Sequence, residues 1–437
     1  MNRAYYKNLL KISDLYTQMG KIDKIIGMTV EATGITCSMG DVCQIVIDKS
    51  GKRVSAEVVG FKENRVLLMP YSDTEGIRQG SRVLNTGEKL MLTVSDQLIG
   101  RTINALGEPI DGGPPIEGGV PCLIGGISSN PMQRPRIDTP IEMGVRAIDG
   151  CLTIGKGQRI GIFAGSGVGK STLMGMLARN VKADVNVIAL VGERGRELVE
   201  FINRDLGPEG QARSVIVVAT SDQPAMQRSK CALSATAVAE YFCRQGKDVL
   251  LMMDSLTRFC MAQREIGLSV GEPPVARGYT PSIYAALPKL LERAGNFEKG
   301  SITGIYTVLV EGDDTNEPIA DTVRGIIDGH IILSRKIAAK NHYPAIDLLG
   351  SVSRLMNDIA GKEQLQAASR LRNMMAVYEN NLDLISIGAY KPGANRELDE
   401  AMAHIDAING FLQQAVDEKV PFNDTVRALC GIVQPAV

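Results

Sequence analysis

Apolar and polar positions alternate along this chain in four successive patterns. Over residues 1–20, Tyr5, Leu9, Ile12, Tyr16 and Met19 recur every four or three positions, with Lys7, Lys11, Asp14 and Gln18 between them. That spacing predicts one amphipathic helix ending at Gly20. Over residues 21–95 the pattern shortens to segments such as "GMTVEAT", "CQIVID", "VSAEVVGF", "RVLLMPY" and "KLMLTV", separated by turns such as "DKSG", "KEN" and "NTGE". Short strands at this spacing predict a small β-barrel. The Gly- and Pro-rich "GRTINALGEPIDGGPPIEGG" reads as the linker that leaves it.

From Arg159 onward, "RIGIFAG", "VNVIALVG", "SVIVVAT", "DVLLMMD", "ITGIYTVLV" and "HIILS" alternate with stretches long enough for helices, such as "MQRSKCALSATAVAEYFCRQ". Runs apolar on both faces and joined by crossover helices predict an α/β domain, residues 96–348, with a parallel sheet covered on both sides. After Leu349 the strand-like runs stop, and "EQLQAASRLRNMMAVYENNL" and "ANRELDEAMAHIDAINGFLQQAV" predict an α-helical domain over 349–437.

Composition narrows the partners. Lys plus Arg is 48 against 49 for Asp plus Glu, a net charge of -1 that supplies no broad field for nucleic acid or anionic lipid. The eight cysteines form no CxxC pair and read as buried free thiols of a reducing compartment. No signal-peptide core opens the chain and nowhere do about 18 apolar residues run together, so a soluble protein is expected, reaching a membrane only through partners.

The candidate chemistry begins at "AGSGVGKST". In it Gly165, Ser166, Gly167, Val168 and Gly169 let successive backbone N–H groups face a polyphosphate at the start of the next helix. Lys170 would reach the β and γ phosphates, and Ser171, followed by Thr172, would ligate Mg²⁺. The first position of the G-x-x-x-x-G-K-[ST] pattern is Ala164, a departure that a negative φ tolerates. Hydrolysis needs a further carboxylate for the metal at the end of a neighbouring strand, and Asp254 closes "DVLLMMD". An Asp there is also a helix N-cap candidate for "DSLTR". Glu193, in "VIALVGERGRE", ends the strand after the P-loop helix and is the candidate base for the attacking water, although its neighbours Arg194, Arg196 and Glu197 also fit a solvated charge cluster.

These pieces in this order resemble the catalytic subunits of rotary ATP synthases and the ATPases of type III protein export. "GERGRE" is similar to the former's Gly-Glu-Arg-Thr-Arg-Glu segment, "GRTINALGEPIDG" to its linker, and "HYPAIDLLGSVSR" to its adenine-side segment and arginine finger. The stretches "EPPVARGYTPSIYAALPKLLERAG" and "YTVLVEGDDTNEPIADTVRGIIDGHIILSR", and the short C-terminal domain, resemble the export ATPases, the flagellar one first and the injectisome one as the alternative. The resemblance implies a RecA-like P-loop ATPase core between barrel and helical domain, with Mg²⁺ and ATP as its only cofactors. It implies that Glu193 activates water, Arg194 contacts the γ-phosphate, Asp254 supports the metal, Tyr343 packs on adenine and Arg354 is a finger given to a neighbouring subunit. It further implies a homohexamer, a stator-like regulator at the N-terminal helix, export gate, chaperones and secreted substrates as partners, and a cytoplasmic place at the inner-membrane export apparatus.

Two other classes compete. A hexameric nucleic-acid translocase shares such a core, but the net charge, the absence of Trp and 4% aromatic residues provide little for stacking bases, so no nucleic-acid partner is expected. A non-catalytic nucleotide-binding subunit would have no need of Glu193. His330 and His404 read as structural, the methionines of "LLMMD" as core, and "EGDD" (Glu311 to Asp314) as a polar turn at the sheet edge.

Overall fold

A computed structural model describes residues 18–47, 52–126, 130–310 and 317–433. The helix expected over residues 1–20 falls outside the described residues up to position 17, and its end is corrected. Met19 and Gly20 belong to strand β1 (Met19–Ile26), paired with Leu84 and Val83. The reason is steric: a Cβ on Gly20 would come within 2.7 Å of the Thr33 carbonyl oxygen, so glycine here permits a close strand approach.

Strands β1, β2 (Thr29–Thr33), β3 (Asp41–Val46), β4 (Arg53–Lys62), β5 (Arg65–Pro70) and β6 (Arg82–Lys89) close into a barrel in the order β1-β2-β5-β4-β3-β6. Alternation turns Val54, Ala56 and Val58 of β4 inward, beside Ile22, Val30, Ile45, Leu68 and Val83. Closure leaves no free edge. The barrel ends at Lys89, earlier than expected, because β7 (Met91–Val94) pairs with β9 (Val120–Leu123) outside it. The expected linker also contributes a strand, β8 (Thr102–Asn104), to the central sheet.

That sheet comprises β10 (Arg159–Ala164), β11 (Val185–Glu193), β12 (Ser214–Thr220), β13 (Asp248–Asp254), the short β14 (Gly295–Asn296), β15 (Ser301–Leu309), β16 (Gly329–Leu333) and β17 (Ile346–Ser353). Its order is β17-β16-β10-β15-β13-β11-β12-β8, with β14 beside β15. All neighbours on this path are parallel except β17, which runs antiparallel to β16 and begins the helical domain later than Leu349. Consecutive residues feed opposite cores. Ile188 and Leu190 face the P-loop helix Lys170–Asn180 and the C-terminal helices, while Val187, Ala189 and Val191 face helices Ala225–Arg244 and Leu256–Ser269.

Both flanking domains are tied to this core by polar contacts. Glu57 of the barrel receives Lys230 Nζ and the Tyr71 hydroxyl, at 2.7 and 2.6 Å. Arg146 Nε donates to the Phe411 carbonyl at 2.9 Å, and Gln414 Nε2 to the Gly144 carbonyl at 2.8 Å. The cysteines are free; Cys37 and Cys430 are half-buried and the others buried. Among the described residues, no helix is long and apolar enough to cross a membrane.

Candidate active site

The apolar strand β10 ends at Ala164, which is fully buried and paired with Leu309, so the departure from the P-loop pattern falls on ordinary strand backbone. Two glycines do need their freedom: Gly167 has φ 78° and Gly169 φ 88°. The helix Lys170–Asn180 starts at once after them, so unpaired N–H groups and the positive end of its dipole face the turn.

Lys170 Nζ bonds to Asp254 Oδ1 and stands 3.6 Å from Glu193 Oε1. The three residues come from β10's turn, β13 and β11, all at the C-terminal ends of parallel strands. One detail differs from expectation: β15 lies between β10 and β13, so Asp254 is two strands away and Lys170 reaches across. Thr307 of β15 donates to Asp254 Oδ1 at 2.7 Å and fixes the carboxylate. The N-cap alternative for Asp254 falls away, since the Ser255 hydroxyl takes that duty by accepting from Arg258 N at 3.3 Å.

The charge cluster around Glu193 divides. The Glu193 side chain is 16% exposed beside Lys170, whereas Arg194 and Arg196 are 75% and 73% exposed. Arg194 pairs with Glu197 at 3.6 Å, and the structure does not bring it to Lys170. Burial pushes the Glu193 carboxyl up to about 7, with Asp254 adding to the rise while Lys170 and Arg258 oppose it. A carboxyl so tuned accepts a proton near neutral pH. If it is the base, kcat/KM falls as pH drops below about 7, because the free enzyme's Glu193 is then protonated. A pH–rate profile flat from 6 to 8 would contradict this.

Arg258 is the nearby cation that sequence reading missed. It lies in the first turn after Asp254, packs against the backbone of Gly192, and its Nε has no hydrogen-bond partner among the described residues. Its position four residues past the metal candidate, in "DSLTR", was the available signal.

Among the described residues no group of three or more His, Cys, Asp or Glu could hold a metal by itself. Ser171 and Asp254 suit Mg²⁺ that is shared with nucleotide phosphates, since this ion keeps waters and needs only one or two protein ligands. Tyr343 precedes β17, and a Cβ on Gly169 would lie 3.5 Å from its ring. Tyr343 is 41% exposed and lines a cleft with Asn341, Gln413, Gln414 and Ala415, suited to stacking a base.

Arg354 is elsewhere. Ser353 pairs with Gly329 at the start of β16, whereas the P-loop leaves β10 level with Leu333 at its end. Those ends are about 13 Å apart, four residues at roughly 3.3 Å each. His330 Nε2 lies 3.1 Å from the Gly350 carbonyl and His404 Nδ1 2.8 Å from that of Glu400. The "EGDD" turn lies outside the described residues.

Comparison with known proteins agrees in every domain. Residues 22–87 match the β-barrel domain of the ATP synthase alpha/beta family, residues 144–353 its nucleotide-binding domain, and residues 360–431 the T3SS EscN ATPase C-terminal domain. The chain is 54% identical to the flagellum-specific ATP synthase of Bacillus subtilis, over 97% of each chain. It is 49% identical to a type 3 secretion system ATPase of Xanthomonas euvesicatoria, over 95% of this chain and 94% of the relative. The assembled ATPase EscN of the enteropathogenic E. coli type III secretion system superposes with a TM-score of 0.90 at 44% identity, covering 95% of this chain and all of that one.

Proposed function

The chain belongs to the ATP synthase alpha/beta family, in its branch of type III export ATPases, and we propose that it is the ATP-hydrolysing motor of the flagellar export apparatus. The observation that carries the catalytic part is the meeting of Lys170, Glu193 and Asp254 at one sheet edge. In this reading the P-loop and Lys170 hold the β and γ phosphates, Ser171 and Asp254 hold Mg²⁺, and Glu193 takes the proton of the attacking water. When bound there, Mg²⁺ would supply charge neutralisation on the phosphoryl group. Tyr343 stacks on adenine, and Arg194 joins the γ-phosphate only if it turns inward from Glu197.

A single chain carries both the catalytic set and Arg354, and these lie at opposite ends of its sheet. The finger therefore serves a neighbour, which makes a ring of six identical chains with six equivalent sites the fitting assembly. EscN, the solved relative, is described as assembled and also in complex with its central stalk EscO. Hydrolysis would drive unfolding, chaperone release and delivery of substrates to a membrane gate. Residues 1–17 would dock a stator-like regulator and so hold the ring at the inner membrane.

Replacement of the Bacillus subtilis relative by this chain tests the reading. Swimming and secretion of flagellar proteins should return, and a chain lacking residues 2–17 should hydrolyse ATP yet fail to export. A full-length chain that accumulates and hydrolyses ATP but leaves export substrates inside the cell would contradict the flagellar assignment.

A further inference from the structure

Gln158 immediately precedes β10 and is completely buried, and both polar atoms of its side chain are hydrogen-bonded. Its Oε1 accepts from Gly155 N at 2.8 Å. Its Nε2 donates at 3.1 Å both to the Asp328 carbonyl and to the Ser353 hydroxyl. Ser353 Oγ passes its own proton on to the Thr153 carbonyl at 2.7 Å. A primary amide has two N–H donors, and both are spent here on groups from other segments.

Those two groups are the ones that frame Arg354. Ser353 is its neighbour in the chain, and the Asp328 carbonyl that accepts from Gln158 also accepts from Arg354 N at 3.0 Å. The Asp328 carboxylate is held in turn by Arg159, with Nε and Nη2 each at 3.0 Å. The Arg354 side chain is exposed beyond this frame and donates to the Arg324 carbonyl at 3.1 Å. Thus one buried amide joins the Ser353 side chain to the carbonyl that receives Arg354 N, beside the ladder that pairs Ser353 with Gly329.

We propose that Gln158 is a positioning residue for the Arg354 finger, holding the 353–354 backbone at the geometry that the neighbouring subunit's site requires. The inference rests on Arg354 acting across a subunit boundary. It gives β10 two duties, with the chain's own P-loop at one end and the support of a neighbour's catalysis at the other. Displacing a transition-state group by about 1 Å costs on the order of 10²-fold in rate, so a support that merely loosens should be visible in turnover.

The test is a double-mutant cycle in the full chain. Gln158→Leu keeps the bulk and removes the three hydrogen bonds; it should lower kcat about tenfold or more while affinity for a fluorescent ATP analogue stays within about twofold. In an Arg354→Ala background the same substitution should cost almost nothing, because residues that act as a unit are not additive. Ser353→Ala, a milder change should Gln158→Leu fail to fold, should lower kcat in the same non-additive manner, and Ser353→Thr should restore it. An equal loss of kcat in parent and Arg354→Ala backgrounds, or a loss of affinity matching the loss of kcat, would overturn the positioning role. An Arg354→Ala enzyme with parental turnover would instead remove the finger, and this inference with it.

Discussion

Replacing Glu193 with glutamine should lower ATP turnover by about 10² to 10⁴-fold while leaving ATP affinity nearly unchanged, since a positioned general base contributes on that order. The substitution keeps volume and hydrogen-bonding reach and removes only the ability to take a proton. The site argues for so clean a separation. Glu193 stands 3.6 Å from Lys170, and its replacement leaves the P-loop and the charge of Lys170 in place. The phosphate grip thus survives, and the fall of kcat/KM below pH 7 should vanish with the carboxyl. Phosphate release and fluorescent-nucleotide titration read the two quantities separately. Near-parental turnover would remove Glu193 from the mechanism.

The second large effect belongs to Arg354. Arginine fingers supplied by a neighbouring protein in related chemistry accelerate turnover by about 10³ to 10⁵-fold, and Arg354→Ala should lose a comparable factor. ATP binding should be retained, because the residue lies at the far end of its own sheet from the P-loop. Overall folding should be little affected, since among the described residues the exposed guanidinium donates to the Arg324 carbonyl alone. A similar loss in nucleotide affinity would mean that Arg354 acts within its own chain.

The parts of the site that could be read from sequence are those whose chemistry is local. The P-loop announces itself because glycines, Lys170 and Ser171 must follow one strand at fixed spacing. Asp254 and Glu193 could be found since each ends an apolar run, and parallel strands bring such ends to one edge. What stayed hidden depends on distant pairing. β8 is three residues within a Gly- and Pro-rich stretch, and β17 is an edge strand interrupted by Gly350. Neither shows a period long enough to mark a strand. The strand β7 looked like a barrel strand because alternation does not say which partner it finds. Arg194 is a different case: the family resemblance implies a γ-phosphate contact, and the structure shows its exposed side chain paired with Glu197. Gln158 was invisible since its role exists only where residues 153, 155, 328 and 353 meet.

The central claim is that each active site is completed by the next copy of the chain, and mixing two inactive variants tests it most directly. Arg354→Ala supplies intact Lys170 sites without fingers, and Lys170→Ala supplies fingers without a phosphate grip. Steady-state phosphate release from the mixture should rise well above the sum of the two separate proteins, since some intact Lys170 sites then face an intact Arg354. Mixed rings demonstrated by co-purification of differently tagged chains, yet no more active than either parent, would contradict the account.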